Sequence, residues 1–491
     1  MKRRDFCSAT LLGGAASTLP RISLGASSEG LADIPAVKLS GAATTLKKAD
    51  LAGLAPRLAG QLIVPGHKDY DTARRIWNPM FDRRPALIVR CANAMDVKAA
   101  IDFARAHELL LAVRGGGHSF PGYSTCDGGL VIDLSPMRDV RIDAARRIAT
   151  VAPGAWVSDV DSNTLKQGLV TTMGQISDTG IAGLTLGGGY GWLSRRHGLA
   201  CDNLVAADLI TADGKLRRVS AQDNADLFWA IRGGGGNFGV VTSFDYRLHE
   251  QQAQVYAAYI SYPLENLRAV MELYEETTAH GPRELSLDLS IEASDRGDPL
   301  VAIYACYSGD PAKGPALIAP FEKVAKQFQG GHGVESYERV QHQSDGPHLS
   351  NNLHYLKAGL VTGFKPELIE VLQREFRPSA QVFIYMQNAS GAVGDVAPDA
   401  TAFWNRKSMT NLMIMGSWKN AADTEQHRAT IRAGWDKVAP FTQGFYVNLS
   451  DGDQQPGTSR AYGSNYPRLA QIKKQYDPRN QFRLNSNVAP A

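Results

Sequence analysis

The sequence predicts an α+β fold in two domains, on three observations. Its 491 residues exceed what one hydrophobic core usually supports. Up to about residue 250, glycine clusters in three loops, each beside a predicted strand. Beyond that point glycine thins, and long alternating apolar segments separated by helices suggest one antiparallel sheet backed by helices. Hydrophobic content of 44% and charged content of 21% are those of a globular chain. A net charge of +3 gives no case for nucleic acid or an anionic membrane.

The amino terminus reads as an export signal over residues 1–26. Lys2-Arg3-Arg4-Asp5-Phe6 precedes a weakly apolar run, Cys7 to Leu19, and small residues lie near Ser23-Leu24-Gly25-Ala26. The run is too short and small-sided to span a bilayer, and no other segment looks transmembrane. Arg-Arg-x-Phe resembles the bacterial twin-arginine signal, which exports folded proteins and implies a periplasmic or secreted product. Residues 27–79 read as a loose leader with a short helix. Cys91, Cys126, Cys201 and Cys306 show no C-x-x-C spacing and no His clusters, which argues against a metal site and favours buried thiols.

Residues 80–250 form the first domain. Ala86 to Arg90 is a buried strand, Asp96 to His107 an amphipathic helix, and Leu109 to Val113 a second strand. That strand runs into Arg114-Gly115-Gly116-Gly117-His118-Ser119, at the carboxyl end where α/β sheets bind ligands. Three bare glycines expose N–H groups that could close around a phosphate while His118 reaches the reactive end of the same molecule. Leu130 to Leu134 is a strand, 140–142 and 148–151 a hairpin, and Val157 to Lys166 a helix stopped by Gly168. Gly174 to Gly191 carries too many glycines for a helix or strand and suits a loop along a flat ligand. Strands Val205 to Thr211 and Leu216 to Val219 form a hairpin; the helix Asp226 to Ile231 leads to a third glycine cluster, Gly233 to Gly239, and the strand Val240 to Tyr246. None of the loops fits a P-loop, and the first lacks the G-x-G-x-x-G spacing of a Rossmann turn.

Residues 251–444 form the second domain. Its strands are Val255 to Tyr262, Leu285 to Ile291, Leu300 to Tyr307, His354 to Val361, Val382 to Gln387 and Thr410 to Trp418. Helices Leu267 to Ala279 and Ala316 to Gln327 lie between them. Residues 445–491 return to the first domain, with a helix from Asn465 to Tyr476 that Pro478 ends.

The first glycine loop, Gly187-Gly188-Gly189-Tyr190-Gly191 with Asp202-Asn203, and Asp226-Leu227-Phe228-Trp229 through Gly239 together resemble the FAD-linked oxidases of the vanillyl-alcohol oxidase/p-cresol methylhydroxylase superfamily. The tail Tyr446-Val447-Asn448 … Tyr462-Gly463-x-Asn465-Tyr466 … Tyr476-Asp477-Pro478 is similar to the berberine bridge enzyme-like branch. The resemblance implies a PCMH-type FAD-binding domain of two subdomains plus a substrate domain. It assigns His118 to a covalent bond with the flavin, and Arg114, Gly115, Gly116, Gly117 and Ser119 to the pyrophosphate loop. Doubly linked relatives carry a cysteine where Ile176 stands, so one histidyl linkage is expected. Asp178, Thr179, Gly180, Gly183 and Gly187 would follow the flavin ring; Asn448 belongs with the cofactor site, and Asn485 lies where the family's terminal strand meets the cofactor. Ser486 replaces a glutamine common there.

Such an enzyme removes a hydride from a small alcohol, amine or sugar hydroxyl while a base takes a proton. Tyr446 is the first candidate for that base or for orienting substrate; many relatives also have a tyrosine where Leu449 stands, so their usual assignment of a tyrosine base does not carry over. Lys357 resembles a strand position facing the flavin, and His354 and Gln387 are weaker candidates. O₂ is the expected acceptor. A dehydrogenase using a quinone or cytochrome, and a catalytically silent binding protein, are the alternatives.

Overall fold

Leu87, Ile88 and Val89 are fully buried, as expected of a strand covered on both faces. They lie in a computed structural model that describes residues 31–345, 352–407, 410–453 and 457–491. The export signal read over 1–26 falls outside these residues. Strand Leu87–Arg90 pairs in parallel with Leu130–Asp133, which pairs in parallel with Leu111–Arg114; Gln61–Ile63 adds an antiparallel edge. The crossover helix Ala94–Ala106 is capped by Asn93, whose side chain accepts from Met95 N and Asp96 N.

The leader is not loose, contrary to the sequence reading. Strands Ile34–Val37 and Ala43–Leu46 pair, and Ile34, Leu46, Leu51, Leu54 and Leu62 share one core with Leu87, Val97, Ile101 and Ile132. Asp96 fixes the junction: its buried carboxylate accepts from Ala59 N, Gly60 N and Ala92 N at 2.8–2.9 Å. An acidic helix residue thus satisfies three backbone donors of the neighbouring chain.

A five-stranded antiparallel sheet follows, in the order Leu216–Ser220, Leu204–Ile210, Val240–Arg247, Ile148–Val151, Val140–Asp143. Its core also holds Leu469, Ile472 and Val488 from the carboxyl-terminal segment. Lys473, fully buried, donates to Asn237 O, Phe482 O and Asp477, and so ties the helix Tyr466–Tyr476 to the third glycine loop. The glycine-dense stretch contains the helix Ile181–Gly187, against the reading as loop. Ile181, Ala182, Thr185 and Leu186 supply its buried side, and Gly188, at φ +132°, ends it. Residues 477–491 form no strand, so Asn485 sits on irregular chain rather than on a terminal strand.

The six strands predicted after residue 250 all appear, together with Gln329–Ser336, in one seven-stranded antiparallel sheet. Its order is Gln329–Ser336, Gln254–Pro263, Pro299–Tyr307, Leu285–Ala293, Val382–Asn388, Thr410–Trp418, Leu353–Val361. One face packs on helices Leu267–His280, Pro366–Arg374 and Thr424–Val438 through Tyr274, Leu368, Ile431, Ile384 and Ile414. The other face is left for the site. Cys91, Cys126, Cys201 and Cys306 are buried free thiols. No helix among the described residues is long and apolar enough to cross a membrane.

Asp161, on the helix Val157–Leu165, is buried, and Gln341 Nε2 donates to its Oδ2 at 2.8 Å. Burial pushes its pKa up to about 7, from an ordinary 3.8. The raised folded-state value gives stability that is complete below pH 3.8 and lost as pH rises through 7. Asp161→Asn should therefore leave the melting temperature unchanged at pH 4 and raise it at pH 8, by at most about 4 kcal/mol of unfolding free energy. Thermal denaturation at the two pH values measures this.

Candidate active site

A cavity of about 830 Å³ lies between the three glycine loops and the free face of the seven-stranded sheet. On the loop side, Gly116 and Gly180 touch backbone to backbone. A Cβ built on Gly116 would lie 2.4 Å from Gly180 N, and one on Gly180 2.3 Å from Gly116 N. The chain then turns at Gly117, φ +76°, a conformation that favours glycine. The N–H groups of Gly115 to Ser119 donate to no group among the described residues. Five successive partly buried amides beside a cavity call for an external acceptor.

His118 stands at the end of this nest. Its Nε2 lies 3.4 Å from Asp178 Oδ1, and its ring stacks on Trp77 at 5.2 Å. Trp77 stacks in turn on His354 at 4.2 Å, while Asn78 holds the His354 backbone N and O. Of the other residues read from sequence, Gly115, Gly116, Gly117, Ser119, Ile176, Thr179, Gly180, Gly183, Tyr446, Asn448, Asn485, Ser486 and Gln387 line the cavity. Arg114 turns away, its Nη1 donating to Ala73 O. Gly187 is a contact glycine: a Cβ there would lie 2.0 Å from Asn448 Oδ1.

Two expectations need correction. Tyr446 is buried, and its hydroxyl oxygen accepts from Gly189 N at 2.9 Å and from Asn448 Nδ2 at 2.7 Å. Burial holds its proton on, with a pKa well above the usual tyrosine value. It is a brace between the second glycine loop and the tail rather than a base. Lys357 does not line the cavity. It lies opposite Ile414, whose side chain is in the helix-backed core, so the pleat turns it to the other face. There its Nζ binds Asp451 at 2.5 Å and Asp453 at 3.2 Å. Burial alone would lower its pKa; the two carboxylates outweigh that and hold it above the usual lysine value. It is a locked cation.

The sheet wall carries groups that sequence reasoning missed. Asp288, 1% exposed, accepts at Oδ2 from Gln175 Nε2 at 2.6 Å and Tyr385 Oη at 2.9 Å, and at Oδ1 from Asn388 N at 3.3 Å. Burial pushes its pKa up to about 6, against the lowering effect of these donors. Gln387 donates to Gln175 at 2.5 Å. Further along the wall, Glu292 accepts from Tyr259, Tyr304 and Ser290. Phe383, Tyr385 and Gln387 alternate onto the cavity face; Tyr304 lies opposite Asp288 on the next strand of the chain, and only the register of strands about a hundred residues apart brings Asp288 opposite Gln387.

The FAD binding domain family matches residues 85–220, and the berberine and berberine-like family matches 445–489. An FAD-linked oxidoreductase of Dictyostelium discoideum is 31% identical over 444 residues, 88% of this chain and 95% of that one. The chain belongs to the FAD-linked oxidoreductases of the berberine bridge enzyme-like family. (R)-6-hydroxynicotine oxidase of Paenarthrobacter nicotinovorans is 28% identical over 455 residues, covering 88% of this chain and 97% of the relative. A crystal structure of 6-hydroxy-D-nicotine oxidase from Arthrobacter nicotinovorans superposes with a TM-score of 0.81 at 26% identity, over 88% of this chain and 98% of that one. Physcomitrella patens BBE-like 1 shares the fold, with a TM-score of 0.82 at 24% identity over 90% and 99% of the two chains.

The cavity of this FAD-linked oxidoreductase fits its cofactor. The uncommitted amides of 115–119 suit a diphosphate, and the glycine-to-glycine contact leaves a side-chain-free wall for a flat ring. Gly116→Ala should force the first two loops apart. We expect the FAD content of the purified protein, read from its visible absorbance, to fall at least about tenfold, since one unmade set of charge-assisted bonds exceeds 1.4 kcal/mol.

Proposed function

We propose that this protein is an exported oxidase. It takes two electrons from a small alcohol, amine or sugar hydroxyl onto FAD attached through His118 alone, and passes them to O₂ to give H₂O₂. The observation that carries the reading is the nest of five amides, 115–119, which includes His118, donates to no described residue and opens on the same cavity as the polar sheet wall. Bound FAD supplies the two-electron acceptor. The residues of the chain do the rest. Residues 115–119 would hold the diphosphate, and Asp178 and Trp77 fix the His118 ring from its edge and its face. Ile176 lines the cavity where a second, cysteinyl bond would form, which supports a single linkage.

The lining also narrows the substrate. Among the described residues no Lys or Arg lines the cavity, while Glu292 does and Asp288 lies just behind the wall. Such a wall repels anions and accepts neutral hydroxyl compounds or amines. Similarity to an oxidase named for (R)-6-hydroxynicotine favours the oxidase over a dehydrogenase. The twin-arginine pattern within residues 1–26 supports export of the folded protein.

Acid precipitation tests the linkage. Yellow colour should stay in the wild-type pellet and move to the supernatant for His118→Ala. Stopped-flow mixing of reduced enzyme with air should restore the flavin band within seconds; flavin that stays reduced for minutes excludes the oxidase.

A further inference from the structure

We propose that Tyr385 and Asp288 form the proton-accepting pair of this cavity, with Tyr385 Oη facing the substrate and Asp288 receiving the phenolic proton behind it. The inference rests on the FAD-linked reading and supplies the base that reading lacks, since Tyr446 and Lys357 are both committed elsewhere.

Three observations carry it. First, Tyr385 lines the cavity and donates to Asp288 Oδ2 at 2.9 Å, so its proton has a destination. A tyrosine alone is a poor base here, because burial and then Asp288 raise its pKa well above the usual value. It can nevertheless accept a proton in the same motion in which it gives one up. Second, the pair is wired to the cofactor side. Gln175, next to Ile176 in the second glycine loop, donates to Asp288 and accepts from Gln387. Tyr385 packs against the cluster of Leu356, Ala358 and Met413, and the same cluster receives Phe120, two residues past His118, and Leu449, next to Asn448. Third, the phenols that serve the wall's other carboxylate, Glu292, come from the opposite side of its strand. Tyr304 and Tyr259 donate to Glu292 and belong to the strands Pro299–Tyr307 and Gln254–Pro263, the second and third from the strand of Tyr385.

The groups facing Asp288 are few. Tyr385 and the Asn388 amide come from one neighbouring strand, Tyr304 and Cys306 from the other, Tyr274 from the helix behind, and Gln175 from the loop. Arg195 reaches the far side of Asn388, where its Nη1 donates to Asn388 Oδ1 at 3.4 Å. A carboxylate so placed, with a pKa near 6, is an acceptor at neutral pH and filled below it.

The step balances as follows. The substrate H–C–X–H, with X oxygen or nitrogen, loses its C–H hydrogen with both electrons to the flavin, and C–X becomes C=X. The X–H proton moves to Tyr385 Oη as the phenolic proton moves to Asp288 Oδ2. The substrate is oxidised and the flavin reduced.

The test uses the holoenzyme and whichever compound of an alcohol, amine and sugar panel bleaches the flavin. Tyr385→Phe should keep wild-type FAD content and lose about 100-fold or more in the rate of flavin reduction. Asp288→Asn should lose the acidic limb, centred near pH 6, from the pH profile of kcat/KM, and Asp288→Glu should restore it in part. Reduction by Tyr385→Phe within about threefold of wild type would overturn the pair. An infrared pH titration of the oxidised holoenzyme needs no substrate. A protonated-carboxyl band that titrates near pH 6, shifts in Tyr385→Phe and vanishes in Asp288→Asn supports the pair; no such band overturns it. A colourless wild-type protein would instead overturn the FAD-linked reading itself.

Discussion

The backbone contact between Gly116 and Gly180 is the constraint on which the site depends. Neither position has room for a methyl group, so two loops sixty-odd residues apart in sequence meet without side chains between them. Two consequences follow from that closeness. The amides of 115–119 are turned from their own chain toward the cavity, and His118 is delivered beside Asp178 from the second loop. A larger residue at either position would buffer the loops from each other and let the amides find partners in water. The tail repeats the device: Asn448 occupies the space a side chain on Gly187 would need, and its amide reaches Leu184 O and the Tyr446 hydroxyl.

The opposite wall works by the reverse principle. There the backbone is fully committed to the sheet ladder, and side chains carry the chemistry. A seven-stranded sheet with one face sealed by helices has one face free to be polar, and this chain puts two carboxylates on it, four residues apart on one strand. Each is met by tyrosine hydroxyls rather than by Lys or Arg. Without a cationic partner, Asp288 keeps the cost of burying its charge, which raises its pKa; a guanidinium partner offsets that cost. Arg406 and Asp202 illustrate the second case: that pair, with contacts of 2.8 Å, locks structure.

How far the chain could be read from its sequence follows the same division. The amide nest and His118 are contiguous, so the segment Arg114 to Ser119 displays them together. The six predicted strands were legible because apolar alternation survives wherever a sheet has one buried face. Gln329–Ser336 was not, since it is an exposed edge rich in glycine with no buried face to impose a pattern. The helix Thr424–Val438 escaped for a related reason: it buries Ile431 and Val438 and is otherwise mostly polar. The helix Ile181–Gly187 was hidden by its glycines, although Ile181, Ala182 and Leu186 sit on its packed side. The sheet wall was the least legible part. Alternation says that Tyr385 and Gln387 share a face, and equally that Lys357 faces away from Leu356, but not which face meets the flavin. One residue of parity separates Lys357 from Leu356 and Ala358, which pack with Met413 toward the cavity. Asp288 is invisible to any local pattern, because its role depends on lying opposite Gln387.

A proton stored on Asp288 has a limited choice of exits. Behind the carboxylate lies the apolar layer of Leu287, Leu289, Ile384 and Tyr274, and no described Lys or Arg touches it. Beside it, Gln175 and Asn388 can donate to it but present no acceptor with an affinity for a proton close to its own. Tyr304, opposite Asp288 across the sheet, donates instead to Glu292, and Tyr385 is the hydrogen-bonded link of Asp288 to the cavity. On the proposed pair, product and returning proton then share one space. The closed back of the sheet therefore does more than support the fold: it makes the cavity the common path for substrate, product and proton.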